Sequence, residues 1–289
     1  MSDTILQLKD ICYAYEDHIA LRYINLEIRK GETVILEGAN GSGKSTLLKL
    51  INGLVFANEG SYLFEGKEIS EESLKNNKFA KWFHQKIGFV FQNSDVQLFC
   101  SNVEEEIAFG PLQMGLDEAA VRRRVDDVIR LLDIDKLRDR APYHLSGGEK
   151  KKVAIACILS MNPEILVLDE PLAGLDRAAQ EWLISFLLKL KKAGKTMIIA
   201  THNEELAEHL ADRHIFFNEE HEAEELQVFY HTHRHCHVLH PKSEEEEMLV
   251  EEGIEHHTHT EEELDDSRGY DRAGIEHHEH TKEELSGDH

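Results

Sequence analysis

Nine consecutive residues, 38–46, carry the residue types and spacing of a phosphate-binding loop (P-loop). They follow an apolar run at 33–37, typical of a buried strand, and precede a run at 47–51 that is typical of a helix. Glycines let the backbone curl so that N–H groups point at phosphate oxygens, and the helix start adds its positive dipole end. Lys44 would reach the β- and γ-phosphates, and the Ser45 hydroxyl would bind Mg²⁺. The expected phosphate-binding residues are Gly38, Asn40, Gly41, Ser42, Gly43, Lys44, Ser45 and Thr46.

Two carboxylates, Asp169 and Glu170, end a second apolar run at 165–168. A strand that is apolar throughout is buried on both faces, as in the centre of a parallel sheet. Asp169 is suited to hold Mg²⁺, and Glu170 is suited to orient and deprotonate a water. Two acids at a strand end often form only a solvated turn. The P-loop favours the catalytic interpretation, because it supplies the phosphate that the acids would serve.

Two further apolar runs, 87–91 and 196–200, lead to Gln92 and His202. A glutamine just past a strand end can contact Mg²⁺ or the attacking water, although Gln92 alone would be an ordinary loop residue. A histidine in the same position can donate a hydrogen bond to a γ-phosphate. The alternative for His202 is a place beside a helix N-cap. We expect both side chains to take part in catalysis.

Leu-Ser-Gly-Gly-Glu at 145–149 precedes a helical run at 150–159. Ser-Gly-Gly at a helix start leaves backbone N–H groups and a hydroxyl for a second anion site. One nucleotide does not need two phosphate cradles. The arrangement makes sense if two copies face each other, each capping the nucleotide on the other's P-loop. The second cradle consists of Ser146, Gly147, Gly148 and Glu149.

The remaining elements position these residues. Strands are expected at 5–11 and 24–28, and between them Tyr13 and Tyr15 offer aromatic rings that could stack on adenine. The alternative is that each is a half-buried strand residue. Helices are expected at 117–134, from apolar residues at helical spacing, and at 177–192. Strands and helices that follow a P-loop in this way predict an α/β fold.

Composition limits the class of protein. The chain has 289 residues, 41% hydrophobic, and a net charge of −24. Residues 219–289 hold 23 Asp/Glu against 5 Lys/Arg, a net charge of −18, which leaves −6 for residues 1–218. A basic surface for nucleic acid is not indicated. The sequence shows neither an apolar run of about 18 residues nor a signal peptide, so we expect a cytoplasmic protein unless a partner holds it at a membrane.

The C-terminal segment 219–289 is rich in histidine, with 13 of the 19 in the chain, and repeats 253–260 at 274–281. High acidity and few apolar residues predict disorder over 242–289. Imidazoles on such a tail would bind Ni²⁺, Co²⁺ or Zn²⁺ loosely, and a solvated tail without function is the alternative. The expected ligands are His231, His233, His235 and His237, which alternate and so share one side of an extended chain, with His256, His257, His259, His277, His278 and His280.

Taken together, residues 1–218 resemble the ATP-binding subunit of an ABC transporter, with the family's motifs in the family's order. The resemblance implies a mixed sheet core with an antiparallel β subdomain and a helical subdomain at about 93–160. It also implies ATP and Mg²⁺ as cofactors and a dimer of ATPase subunits, either homodimeric or heterodimeric. By resemblance, residues 145–149 are the ABC signature, in which Glu149 stands where glutamine is usual. By resemblance, the adenine-stacking residue is Tyr15, the Q-loop residue Gln92, the Walker B pair Asp169 and Glu170, the D-loop aspartate Asp176 and the switch histidine His202.

A finer resemblance lies at 88–99 and 103–111, which are similar to the ATPases of energy-coupling factor importers for cobalt, nickel or vitamins. In such systems this region receives helices of a transmembrane coupling protein, and a separate membrane subunit binds the substrate. With the histidine-rich tail, the resemblance favours a cobalt or nickel importer working at the cytoplasmic face of the cell membrane. A vitamin or other-substrate importer, another metal transporter, a soluble ABC ATPase and an exporter subunit remain as alternatives.

Overall fold

The computed structural model describes residues 4–16, 18–226, 229–238 and 250–259. The chain divides into two compact units, Met1–Leu226 and Gln227–His289. The strands are β1 Thr4–Tyr15, β2 His18–Arg29, β3 Thr33–Gly38, β4 Glu59–Phe64, β5 Lys67–Glu68, β6 Ile87–Val90, β7 Ile165–Asp169, β8 Thr196–Ala200, β9 Arg213–Phe217, β10 Ala223–Leu226, β11 Phe229–Val238 and β12 Val250–His259. The helices are α1 Lys44–Ile51, α2 Glu71–Leu74, α3 Asn77–Lys86, α4 Val103–Gln113, α5 Glu118–Leu132, α6 Gly147–Ser160, α7 Arg177–Lys192 and α8 Glu204–Leu210.

A six-stranded mixed sheet of order β10-β9-β3-β8-β7-β6 forms the centre of the first unit. Strands β9, β3, β8, β7 and β6 pair in parallel, and β10 pairs antiparallel to β9 at the edge. Every residue of β7 and β8 is buried, which agrees with the all-apolar runs that predicted central parallel strands. Parallel strands end at the same edge of a sheet. The residues that follow β3, β7 and β8 therefore meet there.

A second, four-stranded antiparallel sheet has the order β2-β1-β4-β5. Its buried face shares one hydrophobic cluster with α1 and with part of the six-stranded sheet. The strand expected at 5–11 is longer than the sequence indicated, because β1 continues through Tyr13 and ends at Tyr15. Tyr15 is the last residue of β1 and pairs with His18, the first residue of β2.

The helical part of the first unit contains α4, α5 and α6 within the predicted interval 93–160. Helix α5 occupies most of the interval 117–134, and its buried residues are Val121, Val125, Val128, Ile129 and Leu132. These side chains pack with α4, α6 and the outer face of β7 in a second hydrophobic cluster. In the described part of the chain, every helix is too short or too polar to pass through a bilayer.

The first unit continues past residue 218, the boundary that the sequence indicated, and ends at Leu226. Strand β10 adds an edge to the sheet through its pairing with β9. The guanidinium of Arg213 on β9 holds Glu225 on β10 through Nε and Nη2, at 3.0 and 2.6 Å. These hydrogen bonds lower the pKa of the Glu225 carboxyl. Residues 223–226 therefore belong to the nucleotide-handling unit rather than to the tail.

The second unit contains an antiparallel hairpin of β11 and β12, in which His231 lies opposite His257. Disorder over 242–289 stays a prediction; within that interval the structure describes residues 250–259, which form β12. The rest of 242–289 lies outside the described residues.

Candidate functional site

The P-loop connects β3 to α1 through glycines in the left-handed region of backbone conformation. Gly38 and Gly43 have φ values of 129° and 115°. A Cβ at Gly38 would lie 2.4 Å from the carbonyl oxygen of Phe217, and one at Gly43 would lie 2.4 Å from that of Ala20. Glycine is required at both positions, by backbone conformation and by close packing. The loop therefore presents the start of α1 at the edge where the parallel strands end.

Lys44 is buried, and its ammonium group lies within the P-loop. Its Nζ donates hydrogen bonds to the carbonyl oxygens of Gly38 and Ala39, at 2.6 and 2.8 Å. Burial lowers the pKa of the Lys44 amine, while the nearby carboxylates of Glu170 and Asp169 oppose this change. A cation held at this place can pair with the outer phosphates of a nucleotide.

Ser45 and Asp169 come together although they lie far apart in the chain. The Ser45 hydroxyl donates to Oδ1 of Asp169 at 3.0 Å. Burial raises the pKa of the Asp169 carboxyl, and the hydrogen bond from Ser45 opposes this change. Hydroxyl and carboxylate oxygens are the ligands that Mg²⁺ prefers. The donor set at this edge of the sheet therefore fits a magnesium ion.

Glu170 and His202 form a pair at the ends of β7 and β8. Oε2 of Glu170 lies 2.8 Å from Nδ1 of His202, with the glutamate side chain mostly buried and the histidine ring mostly exposed. Glu170 has a left-handed φ of 42°, and its N–H donates to the carbonyl oxygen of Ala200 on β8. An unfavourable backbone conformation of this kind persists where the surrounding structure imposes it, often at an active site.

Gln92 is exposed and follows β6, as the sequence predicted, but its backbone is held by a residue that the sequence analysis missed. Nζ of Lys151, in α6, donates to the carbonyl oxygens of Phe91 and Gln92, at 3.1 and 2.9 Å. Lys151 is only 2% exposed, and burial lowers the pKa of its amine to about 8. Lys151 lies in the run Lys150 to Lys152, which was predicted only to be helical. Only the structure places the middle lysine inside.

The signature segment 145–149 begins α6 with a capping box. The N–H of Ser146 donates to Oε2 of Glu149 at 2.8 Å, and the Ser146 hydroxyl accepts from the Glu149 N–H at 3.3 Å. The hydrogen bond from the Ser146 N–H lowers the pKa of the Glu149 carboxyl. Glu149 therefore stabilises the helix start, and its second oxygen faces Arg140 at 3.4 Å. Gly148 packs against α7, since a Cβ there would lie 3.0 Å from Cβ of Ala179.

Asp176 caps α7, because its Oδ1 accepts a hydrogen bond from the N–H of Ala179 at 2.8 Å. Its carboxylate therefore has a structural partner in addition to the role that the resemblance implies. Gly148 and Asp176 thus both lie near Ala179, in the first turn of α7. The signature and the D-loop are consequently neighbours within one copy of the chain.

Tyr15 is 41% exposed and contacts Tyr13 edge to face, with ring centroids 4.8 Å apart. It borders an open groove beside the P-loop, which we call the Tyr15 groove. The groove is lined by Tyr15, His18, Ile19, Ala20, Gly41, Thr46 and His221. The predicted adenine-stacking residue and two P-loop residues thus share one surface with His221, a histidine that the sequence analysis grouped with the tail.

The predicted transition-metal ligands lie in the second unit. His231, His233, His235 and His237 belong to β11, and His256, His257 and His259 belong to β12. His277, His278 and His280 lie outside the described residues. In the stretches that the structure describes, no group of three or more histidine, cysteine or acidic residues is arranged to hold a metal ion.

Comparison with known proteins identifies the family. The family model described as ABC transporter matches residues 21–173. The nickel import ATP-binding protein LarO of Lactiplantibacillus plantarum is 47% identical over 220 residues, which are 76% of this chain and 91% of that protein. The energy-coupling factor transporter ATP-binding protein EcfA of Methanoculleus marisnigri is 43% identical over 211 residues, covering 72% and 74%.

A solved structure has the same fold. It is cbiO1 from Clostridium perfringens, part of the ABC transporter complex cbiONQ, with a TM-score of 0.69 and 37% identity, covering 77% of this chain and 88% of that one. The family match, the relatives and the P-loop geometry agree on ATP binding and hydrolysis coupled to transport. The chain therefore belongs to the ABC transporter family, as an ATP-hydrolysing subunit.

Proposed function

We propose that this chain energises the import of a transition-metal cation, nickel or cobalt, by a membrane transporter. The observation that carries the choice of cargo is the 47% identity to a nickel import ATP-binding protein over nine tenths of that protein's length. The histidine-rich segment of this chain supports the same class of cargo, because imidazole nitrogen is a ligand for both metals. On this proposal the chain acts peripherally, at the cytoplasmic face of the cell membrane.

The hydrolytic step uses the residues at the edge of the six-stranded sheet. Lys44 and the P-loop N–H groups bind the β- and γ-phosphates, and Tyr15 stacks on the adenine. Glu170 orients the attacking water and accepts its proton, while His202 donates a hydrogen bond to the γ-phosphate and Gln92 contacts the water or the metal.

Mg²⁺ held by Ser45, Asp169 and Gln92 would neutralise charge on the transferred phosphoryl group. The 3.0 Å hydrogen bond between Ser45 and Asp169 supports this donor set, because it brings two suitable oxygens together without any rearrangement of the backbone.

The signature residues serve a second subunit. Ser146, Gly147 and Gly148 begin a helix whose first N–H groups can bind an anion, and the same chain already holds its nucleotide at residues 38–46. A second ATPase subunit facing the first would bring each signature to the other's γ-phosphate. Asp176 lies beside Gly148 and would meet the partner at the same interface. A homodimer and a heterodimer both satisfy this arrangement.

A groove beside α4 is suited to a membrane partner. It has a volume of about 600 Å³, and we call it the α4 groove. Its lining is mixed: polar and charged side chains such as Lys81, His84 and Glu106 lie beside large apolar ones, which are Phe99, Phe109, Cys157, Ile158, Met114 and Met161. Phe99 is 68% exposed and contacts Phe109 edge to face, with ring centroids 5.0 Å apart. Exposed aromatic rings around a groove mark an interaction site, and we assign it to an apolar helix of the transmembrane coupling protein.

Gln97 would couple binding of a partner in the α4 groove to the Gln92 loop, at the edge of the six-stranded sheet where the nucleotide residues lie. It lines the groove, and its Oε1 accepts a hydrogen bond from the N–H of Phe91 at 3.3 Å. Its Nε2 donates to the carbonyl oxygen of Ala154 in α6 at 3.4 Å. A helix seated in the groove would therefore contact a side chain that joins the Gln92 loop to the signature helix.

Measurement of cellular metal content tests the cargo. We expect deletion of the gene for this chain to lower nickel or cobalt in cells grown at limiting metal, and the wild-type gene to restore it. The gene for Glu170→Gln should not restore it, which separates loss of hydrolysis from loss of the protein. Unchanged nickel and cobalt, with impaired uptake of a vitamin, would favour the alternative of an energy-coupling factor ATPase for another substrate.

A further inference from the structure

His221 lies in the turn between β9 and β10 and adopts a left-handed backbone conformation, with φ of 65°. The turn is closed by the N–H of His221, which donates to the carbonyl oxygen of Asn218 at 3.3 Å, and by the N–H of Glu222, which donates to Oδ1 of Asn218 at 2.9 Å. Residues other than glycine are uncommon at such φ values. The turn thus holds an unfavourable backbone conformation at His221, the residue that carries the imidazole.

The imidazole of His221 contacts the P-loop. Its Nδ1 lies 3.2 Å from the carbonyl oxygen of Ser42. A carbonyl oxygen can only accept, so Nδ1 carries the proton in this hydrogen bond. The backbone of His221 is also fixed, because its carbonyl oxygen accepts from the N–H of Arg22 at 2.9 Å. The turn therefore connects the P-loop to β2.

Ser42 is the P-loop residue whose orientation this contact sets. It is 4% exposed, and its buried hydroxyl has no hydrogen-bond partner in the part of the chain that the structure describes. The hydroxyl therefore does not fix the residue. Its N–H donates within the loop, to the carbonyl oxygen of Ala39 at 3.2 Å, and its carbonyl oxygen is bound by His221. The Ser42 carbonyl belongs to the peptide bond that joins Ser42 to Gly43, the residue before Lys44.

His221 also lies beside the expected position of a bound nucleotide. It lines the Tyr15 groove together with Gly41 and Thr46 of the P-loop and with Tyr15. It is therefore beside the ligand site and not at a remote point of the domain. A hydrogen bond at this place acts on the loop that holds the phosphates.

We propose that His221 is a positioning residue of the nucleotide site, which holds the Ser42 carbonyl so that the P-loop keeps its phosphate-binding conformation. No family motif at 38–46, 92, 145–149, 169–176 or 202 includes this residue. The role predicts a loss of affinity for the phosphate chain itself, whether or not a nucleoside is attached. A ring that contacted only the nucleoside would leave affinity for tripolyphosphate unchanged.

The test compares two substitutions with a matched control. His221→Gly removes the imidazole and suits φ of 65°, so the fold should keep its thermal stability. His221→Asn tolerates the same backbone and offers an amide N–H that can donate to the Ser42 carbonyl. The control is His209→Ala, because the ring of His209 also bonds a backbone carbonyl, that of Glu205 at 2.7 Å, but within α8.

Titration calorimetry of the full chain with MgATP and with magnesium tripolyphosphate gives the result. We expect His221→Gly to weaken both by a similar factor, about 3- to 10-fold, which is the effect of one hydrogen bond. His221→Asn should recover part of this loss, and His209→Ala should match wild type. Unchanged affinities in a folded His221→Gly protein would overturn the proposal. Weaker binding of ATP alone would also overturn it, since it would assign the ring to the nucleoside.

Discussion

Oε2 of Glu170 lies 2.8 Å from Nδ1 of His202, and this pair joins the carboxyl ends of two neighbouring strands, β7 and β8. The glutamate is mostly buried and the histidine mostly exposed, so the carboxylate is shielded from solvent while the imidazole can reach a ligand. The N–H of Glu170 donates a hydrogen bond to the carbonyl oxygen of Ala200, which fixes the backbone of this residue. On the proposed mechanism, this hydrogen bond between Glu170 and His202 would couple water activation by Glu170 to the contact of His202 with the γ-phosphate.

Substitution of Glu170 separates binding from hydrolysis. Glu170→Gln should keep ATP affinity and lower the rate of hydrolysis by about 10²-fold or more, because the amide cannot accept the proton of the water. Lys44→Ala should instead weaken nucleotide binding. Calorimetry and a phosphate-release assay on both variants measure the two effects. Turnover near the wild-type rate in Glu170→Gln would remove this residue from the role of base.

Dimerisation should depend on Ser146. In the Glu170→Gln background, MgATP should drive the chain to a dimer in sedimentation experiments. Ser146→Asp keeps a good N-cap for α6 but adds a negative charge that would face the partner's phosphates, so it should prevent the dimer. Ser146→Asn keeps the cap without the charge and is the matched control. A dimer that forms equally well with Asp at this position would argue against the second anion site.

The buried Lys151 predicts a pH dependence of stability in the nucleotide-free protein. Its pKa is about 8 in the fold, whereas a lysine in an unfolded chain titrates near ~10.4. Between these values the unfolded chain binds more protons, so this group makes the fold gain stability as pH rises. Denaturant unfolding from about pH 7.5 to about 9.5 should show that the free energy of unfolding of wild type rises relative to that of Lys151→Met.

Lys150→Met is the control for this series, because Lys150 pairs with Asp95 at the surface and should show no such trend. If the stability difference between wild type and Lys151→Met stayed constant over the same pH range, the assignment of the lowered pKa to Lys151 would be wrong.

Truncation should separate the nucleotide unit from the tail at Leu226 and not at residue 218. A chain that ends after Leu226 keeps β10 and should hydrolyse ATP, while one that ends after Asn218 loses the Arg213–Glu225 pair and His221 and should be less stable. Equilibrium dialysis should show that the chain ending after Leu226 has lost most of the full-length protein's binding of Ni²⁺, Co²⁺ or Zn²⁺. Binding to the full chain should weaken as pH falls below about 6.5, where imidazoles protonate. Equal metal binding by both proteins would rule out the tail as a metal site.

The sequence was sufficient for elements whose cause is local. An all-apolar run ending in Asp169 indicates a central strand, and the glycines around Lys44 indicate the P-loop, because each pattern reflects a requirement of its own few residues. Lys151 and Glu149 show the limit of such reasoning. The burial of Lys151 depends on the carbonyl oxygens of Phe91 and Gln92, which are distant in the chain. Glu149 completes a capping box at the start of α6, whereas the sequence pattern assigned it only to an anion site.

The same limit explains the domain boundary. Residues 219–226 have the acidic composition of the tail, and composition cannot show that β10 pairs with β9 or that His221 bonds to Ser42. β9 and β10 are joined by a short turn, whereas His221 and Ser42 are distant in the chain. The contact of His221 with Ser42 follows from the topology of the sheet, which places the turn after β9 beside the end of β3.

Uptake of radioactive nickel and cobalt into proteoliposomes tests the central claim most directly. The chain would be reconstituted with a transmembrane coupling protein and a substrate-binding membrane subunit, with MgATP on the side of the ATPase. We expect uptake of one of the two cations with wild type, and uptake at the level of the ATP-free control with Glu170→Gln. Equal uptake with and without hydrolysis, or hydrolysis without transport of either cation, would contradict the account of this chain as the ATPase of a nickel or cobalt importer.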